Sequence, residues 1–213
     1  MIIPLEKRLK KRMHMEIARL QDEIVEMLYG IENGLVLHGG TAIWRCYGGN
    51  RFSEDLDFYC ADMARIDDAF RQKVRERGLA MLKYKKTASL LFSKISNGSA
   101  EVRVEMNFSA TKPHMTKSYE KTDGTFMDVF TLSAEELILE KIGAYKGRRF
   151  VRDIYDIYHL ANYAKGSRIS AAMREFIVSM QQPVDEPNIR AIVYSGAIPS
   201  FSQLREFLKR RFL

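Results

Sequence analysis

The chain has 213 residues, 46% of them hydrophobic and 29% charged, a mixture that builds a core and argues against a disordered polymer. No apolar run approaches the roughly 20 residues that cross a bilayer, and residues 1–20 are basic without a long apolar segment after them, so a cytoplasmic protein with no membrane partner is expected. The 34 basic residues exceed the 27 acidic ones, leaving a net charge of +7, a balance that favours a polyanionic partner.

Residues 6–29 read as one helix, because Leu9, Met13, Ile17, Leu20, Ile24 and Leu28 recur at spacings of three and four. Lys7, Arg8, Lys10, Lys11 and Arg12 form a basic block at its start, and Gly30 is a natural stop. "GLVLHGG" is a short apolar strand that ends at two glycines, and "TAIWRCYG" has the length of a short helix. In "EDLDFYC" a strand would put Leu56 and Phe58 on one side and Asp55, Asp57 and Tyr59 on the other. Residues 62–77 have an amphipathic helical pattern and are followed by Gly78. "ASLLFSKIS" and "AEVRVEMNF" flank Asn97-Gly98, a pair favoured in type I′ hairpin turns. From residue 110 to 128 the chain is polar, contains Pro113 and Gly124, and reads as a loop or linker. Beyond it Ser133 and Glu136 fit a capping box opening "SAEELILEKIGAYK", and "VRDIYDIYHLANYA" and "SFSQLREFLKRRFL" read as two further helices. Cys46 and Cys60 lack any CxxC pairing and read as reduced, buried thiols. The four histidines form no metal-spaced set.

The chemistry concentrates in residues 39–57. Two carboxylates at i and i+2 of a strand share a side, roughly 6.6 Å apart along the chain, and repel unless a cation lies between them. Hard oxygen donors suit Mg²⁺, which normally keeps water or takes phosphate oxygens as well. A glycine pair between a strand and a helix lets the backbone approach a ligand, and free N–H groups at a helix start can hold phosphate. The G-x-x-x-x-G-K-[ST] pattern is absent, so this is not a P-loop. D-x-D also occurs on exposed strand edges, and paired glycines in ordinary turns. The order and spacing of the two favour a joint site for a nucleoside triphosphate with its magnesium, and Glu105, on the polar side of a later strand, would add a third acid.

Gly39-Gly40-Thr41 followed by Arg51-Phe52-Ser53-Glu54-Asp55-Leu56-Asp57-Phe58 resembles the signature of the AbiEii/AbiGii toxin family, within the DNA polymerase β-like nucleotidyltransferase superfamily. "EKIGAYKGRRFVRDIYDIYHL" is similar to the family's second signature, with Lys141, Arg148, Arg152, Asp153 and Asp156 in the matching places. The resemblance implies an α+β fold: a nucleotidyltransferase-like mixed β-sheet with flanking helices over residues 1–115, then a helical C-terminal domain over residues 116–213.

It also implies a nucleotidyltransferase. Asp55 and Asp57 would hold Mg²⁺, with Glu105 as a third metal ligand. Gly39, Gly40, Thr41 and Ser53 would contact the phosphates. Lys141 would neutralise triphosphate charge, Arg148 or Arg152 would do likewise, and Asp153 would orient Lys141 or an arginine. The expected reaction moves a nucleotide from NTP to an acceptor, RNA of the tRNA kind being favoured by the basic charge. The implied setting is a type IV toxin–antitoxin or phage-defence system with an antitoxin from a neighbouring gene. Nucleotidylation of a protein hydroxyl and a catalytically idle module binding RNA or a partner are the alternatives.

Overall fold

The computed structural model describes residues 3–108, 112–165 and 169–213, the side chains of Met63 and Ala64 excepted. It divides into two compact units, Met1–Cys46 with Ser53–Leu132, and Tyr47–Phe52 with Ser133–Leu213. The expected α+β class is what the fold is, with a mixed sheet, flanking helices and a helical C-terminal part.

The first unit contains α1 (Leu5–Arg8), α2 (Arg12–Ile31), β1 (Val36–His38), α3 (Gly39–Cys46), β2 (Leu56–Cys60), α4 (Met63–Glu76), β3 (Ala80–Lys86), β4 (Leu90–Ser96), β5 (Glu101–Phe108), β6 (Met115–Glu120) and β7 (Phe126–Thr131). The strands form one sheet in the order β3-β4-β5-β2-β1-β7-β6. β2 runs antiparallel to β1 and parallel to β5, while β1 runs parallel to β7. Alternation sends Leu56, Phe58, Leu91, Ile95, Val102, Val104 and Met106 to one buried face. α2 supplies that core with Leu20, Ile24 and Leu28, but Met13 is exposed.

Three local expectations change. The helix expected over residues 6–29 breaks between Arg8 and Arg12, where Leu9 is extended. Five cations within six residues at a helix N-terminus oppose the macrodipole, which favours a break there. Asn97-Gly98 does not make a two-residue type I′ turn: only Gly98 has a positive φ, of 88°. Ser96 pairs with Glu101, leaving four loop residues, and the Asn97 side chain accepts the N–H groups of Ser99 and Ala100. Finally, the polar stretch read as a linker holds β6 and β7, and β7 pairs with β1. The first unit therefore runs to Leu132 rather than to residue 115. β6 is polar because it is an edge strand with one side wet; residues 110 and 111 of the expected linker lie outside the described residues.

Arg45 on α3, fully buried, is held by a buried carboxylate. Asp22 on α2 accepts from Arg45 at 2.9 Å, from the Tyr119 hydroxyl at 3.1 Å, and from the Thr122 N–H and hydroxyl at 2.8 and 2.6 Å. Arg45 also donates to the carbonyls of Ala18 and Glu120. These bonds tie α2, α3 and β6 together behind the glycine pair.

The second unit contains α5 (Ala134–Arg148), α6 (Val151–Leu160), α7 (Ser170–Ser179), α8 (Ile189–Ile192) and α9 (Phe201–Phe212). Ser133 caps α5 by accepting the Glu136 N–H, and Ser200 with Gln203 closes a full capping box on α9. α6 packs on α5 and α9, and α7 on α9. Residues 47–52 join this unit through the Phe52 N–H to the Ile192 carbonyl at 2.9 Å, and the Tyr194 N–H and hydroxyl to the carbonyls of Asn50 and Gly49 at 3.1 and 2.9 Å. No helix among the described residues is long and apolar enough to cross a membrane.

Removing the Asp22 carboxylate strands a buried guanidinium. Asp22→Ala is expected to lower unfolding free energy by about 3–5 kcal/mol, read from urea denaturation; a loss below 1 kcal/mol would mean that the pair is dispensable.

Candidate active site

The site of the first unit is built by strand register. β1 ends at His38, and α3 begins at Gly39 with no residue between them. The chain makes that turn with Gly39 at φ +71°, in the left-handed region. Space imposes glycine as well: a Cβ here would clash with the Asp57 carboxylate, lying 3.2 Å from its Cγ. Gly40 and Thr41 are buried in the first turn of α3, and the Thr41 hydroxyl donates to the Asp55 carbonyl. The start of the helix is thereby fastened to the segment that carries the aspartates.

Asp57 sits in the middle of three strands. Opposite it on β1 is His38, and on β5 is Glu105. The expected neighbour of the aspartates is therefore the residue directly beside Asp57. Asp55 lies just before β2 and pairs with Arg103, one alternation before Glu105 on the same side of β5. Beyond Asp57, Tyr59 stacks on His38 with ring centroids 3.9 Å apart, and the Lys112 ammonium lies 4.5 Å above the Tyr59 ring and donates to its hydroxyl at 2.8 Å. Ser53 is buried, and its carbonyl accepts from the Gln21 side chain at 2.9 Å.

These donors fit magnesium of a particular kind. Among the described residues, no three His, Cys, Asp or Glu side chains converge as a ready-made metal cage. Mg²⁺ needs only one or two protein carboxylates when phosphate oxygens and water complete its shell. Asp55, Asp57 and Glu105 are oxygen donors on one side of the sheet beside a helix start, which suits an ion that arrives with a triphosphate.

The second unit brings Lys141, Arg148, Asp153 and Asp156 together with Arg51. Arg51 binds Asp156 through two bonds of 2.8 Å, and Arg148 binds Asp153 through two more of 2.8 Å. The Lys141 ammonium joins the pairs, 2.8 Å from Asp156 and 3.5 Å from Asp153. Asp153 occupies the first turn of α6, where the helix dipole favours a negative charge. Burial alone would raise the Asp156 pKa, but Arg51 and Lys141 beside it hold it at about 2. Three cations and two carboxylates leave an excess of one positive charge. Lys141 is nearly buried, whereas the Arg148 side chain is 40% exposed. Arg152 lies outside the ion network, its guanidinium 5.5 Å above the Phe150 ring.

The sequence assigned no role to Arg51, which stands in the first signature, to Tyr59, or to Arg103 and Lys112. Arg103 was discoverable, since it alternates with Glu105. Arg51 was not, because its partner lies 105 residues away.

The family model of the nucleotidyl transferase AbiEii toxin, of type IV toxin–antitoxin systems, matches residues 26–210. The chain belongs to the AbiEii family. It is a nucleotidyltransferase, and both signatures of this AbiEii chain fall within the matched span. JHP933 from Helicobacter pylori shares the fold with a TM-score of 0.70 at 21% identity, covering 94% of this chain and 90% of that one. A second H. pylori structure, described as a candidate nucleotidyltransferase, gives 0.61 at 18% identity over 94% and 92%. A comparison with curated proteins found no significant match.

Two outcomes follow from this geometry. Gly39→Ala is expected to cut nucleotide transfer at least tenfold, because the new methyl displaces Asp57; a wild-type rate would show that the close approach is incidental. For Asp156, a folded pKa below the ordinary 3.8 means its contribution to stability is complete above about pH 4 and is lost as pH falls towards 2. Asp156→Asn should cost about 3–5 kcal/mol at neutral pH and flatten that acid limb in denaturation curves; an unchanged limb would assign it to other carboxylates.

Proposed function

We propose that this AbiEii enzyme transfers a nucleotide from a Mg²⁺-bound NTP to RNA of the tRNA kind, acting as a toxin held in check by an antitoxin partner or in phage defence. The observation that carries the reading is the β1-β2-β5 register, which sets Asp57 beside Glu105 and against the Gly39-Gly40 helix start. Gly39, Gly40 and Thr41 open α3, where a helix leaves N–H groups without intrahelical partners, so they would meet the phosphates in this reading, and the helix dipole favours that charge. The Ser53 hydroxyl is a further phosphate contact in this reading. Asp55, Asp57 and Glu105 would hold Mg²⁺. When bound, the ion supplies charge neutralisation at the triphosphate and lowers the pKa of the attacking hydroxyl.

In the reaction the acceptor oxygen bonds to the α-phosphorus as the bond to the β-phosphate bridge breaks, releasing pyrophosphate. Such chemistry is mostly positioning and electrostatics. The protein's part is to keep the carboxylates in register and to anchor Asp55 through Thr41. In the second unit, Arg148, with Arg152 nearby in sequence, is the cation exposed enough to meet an anionic ligand. Asp153 holds it there through two bonds, and Lys141 adds positive charge beside the same carboxylate.

The test is to incubate each α-labelled NTP with Mg²⁺, total RNA and protein, wild type beside Asp57→Asn. Label in RNase-sensitive material, reduced at least about 100-fold by the substitution, is the expected result. Label that survives RNase but not protease would move the acceptor to a protein, and equal label in both variants would remove Asp57 from the reaction.

A further inference from the structure

The side of the sheet that carries Asp57 continues across three more strands. Register sets Lys83 on β3 opposite Lys94 on β4, and Lys94 opposite Arg103 on β5. One alternation along, Lys85 lies opposite Phe92, Phe92 opposite Glu105, and Glu105 opposite Asp57. The intervening residues Leu91, Ser93, Ile95, Val102, Val104 and Met106 are buried on the other face. Lys83, Lys85 and Arg103 are exposed, and Phe92 and Lys94 are half-buried. A row of three cations and a parallel row of lysine and phenylalanine thus cross the sheet and end at the carboxylates. With neighbouring strands about 4.8 Å apart, β3 lies about 14 Å from β2.

We propose that this face is the track along which the single-stranded end of the RNA acceptor reaches Asp57, its phosphates on Lys83, Lys85, Lys94 and Arg103 and a base on Phe92. The proposal rests on RNA being the acceptor. Its chemistry is that of single-strand binding surfaces, a cationic path with an aromatic ring on which any base can stack. Lysines on an edge strand also guard against edge-to-edge pairing. That purpose accounts for Lys83 and Lys85 on β3, but not for cations in register on the interior strands β4 and β5. Lys94 pairs with Glu101 and Arg103 with Asp55, whereas Lys83 and Lys85 have no ion-pair partner among the described residues. The track is therefore most open where the RNA would enter and most neutralised beside the site. An arriving phosphate would compete with Asp55 for Arg103, leaving the Asp55 carboxylate to magnesium.

The experiment is fluorescence anisotropy of a 5′-labelled single-stranded RNA of a dozen nucleotides, titrated with protein at several salt concentrations, with NTP binding followed separately by calorimetry. Lys83→Gln/Lys85→Gln should weaken RNA binding about tenfold and reduce the slope of log K against log salt by about 1.4, two phosphate contacts at about 0.7 each. Phe92→Ala should weaken binding with the slope unchanged. Lys209→Gln/Arg210→Gln on α9, which removes the same charge elsewhere, should leave both near wild type. Wild-type affinity and slope in the β3 pair would overturn the track and leave those lysines as edge guards. Equal losses in the α9 pair would overturn it in favour of net charge. Wild-type protein that binds NTP but no RNA would remove the RNA-acceptor reading and the track with it.

Discussion

Everything at the candidate site depends on one steric constraint, the contact between the Gly39 backbone and the Asp57 carboxylate. β1 passes into α3 without a connecting residue, and only a glycine in the left-handed region can make that turn while another strand's side chain lies against its Cα. The consequence is chemical as well as spatial. A helix start with its free N–H groups is held next to a carboxylate, two groups of opposite electrostatic preference. An anionic ligand bridged by a cation satisfies both. The register of β2 with β5 then adds Glu105 without any further device.

Buried charge does the holding elsewhere. In the first unit Asp22 accepts four bonds and secures Arg45, so α3 cannot rotate away from the sheet without stranding an ion pair. In the second unit Arg51 and Arg148 each grip a carboxylate with two bonds, and Lys141 links the pairs. Such pairs add little net stability compared with apolar packing, but removing one partner is costly. Their value here is geometric: through Arg51 they fasten residues 47–52 to α6 within the second unit.

Much of this was legible beforehand. Period-two alternation in residues 55–60 and 101–108 announced β2 and β5, and glycines at 39 and 40 announced a backbone approach. A capping box announced the helix after Ser133, and the last helix was legible without its Ser200 cap. What local patterns could not carry was pairing. Nothing near Arg51 points to Asp156, nor anything near Arg45 to Asp22, because a buried ion pair is a match between distant residues. β3 and β6 were missed for a different reason: edge strands have a wet side and lysine-rich sequences, so their hydrophobic alternation is faint. The polar tract from residue 110 to 128 consequently looked like a linker, and the unit boundary was placed too early.

The central claim is that a divalent ion and its triphosphate bind at the Asp57 end of the sheet. Backbone amide NMR with Mn²⁺ in place of Mg²⁺ and a non-hydrolysable NTP tests it most directly, since Mn²⁺ takes the same oxygen donors and broadens only nearby signals. The account predicts broadening at Gly39, Gly40, Asp57 and Glu105 that disappears in Asp57→Asn. Broadening centred elsewhere, or unchanged by that substitution, would contradict it.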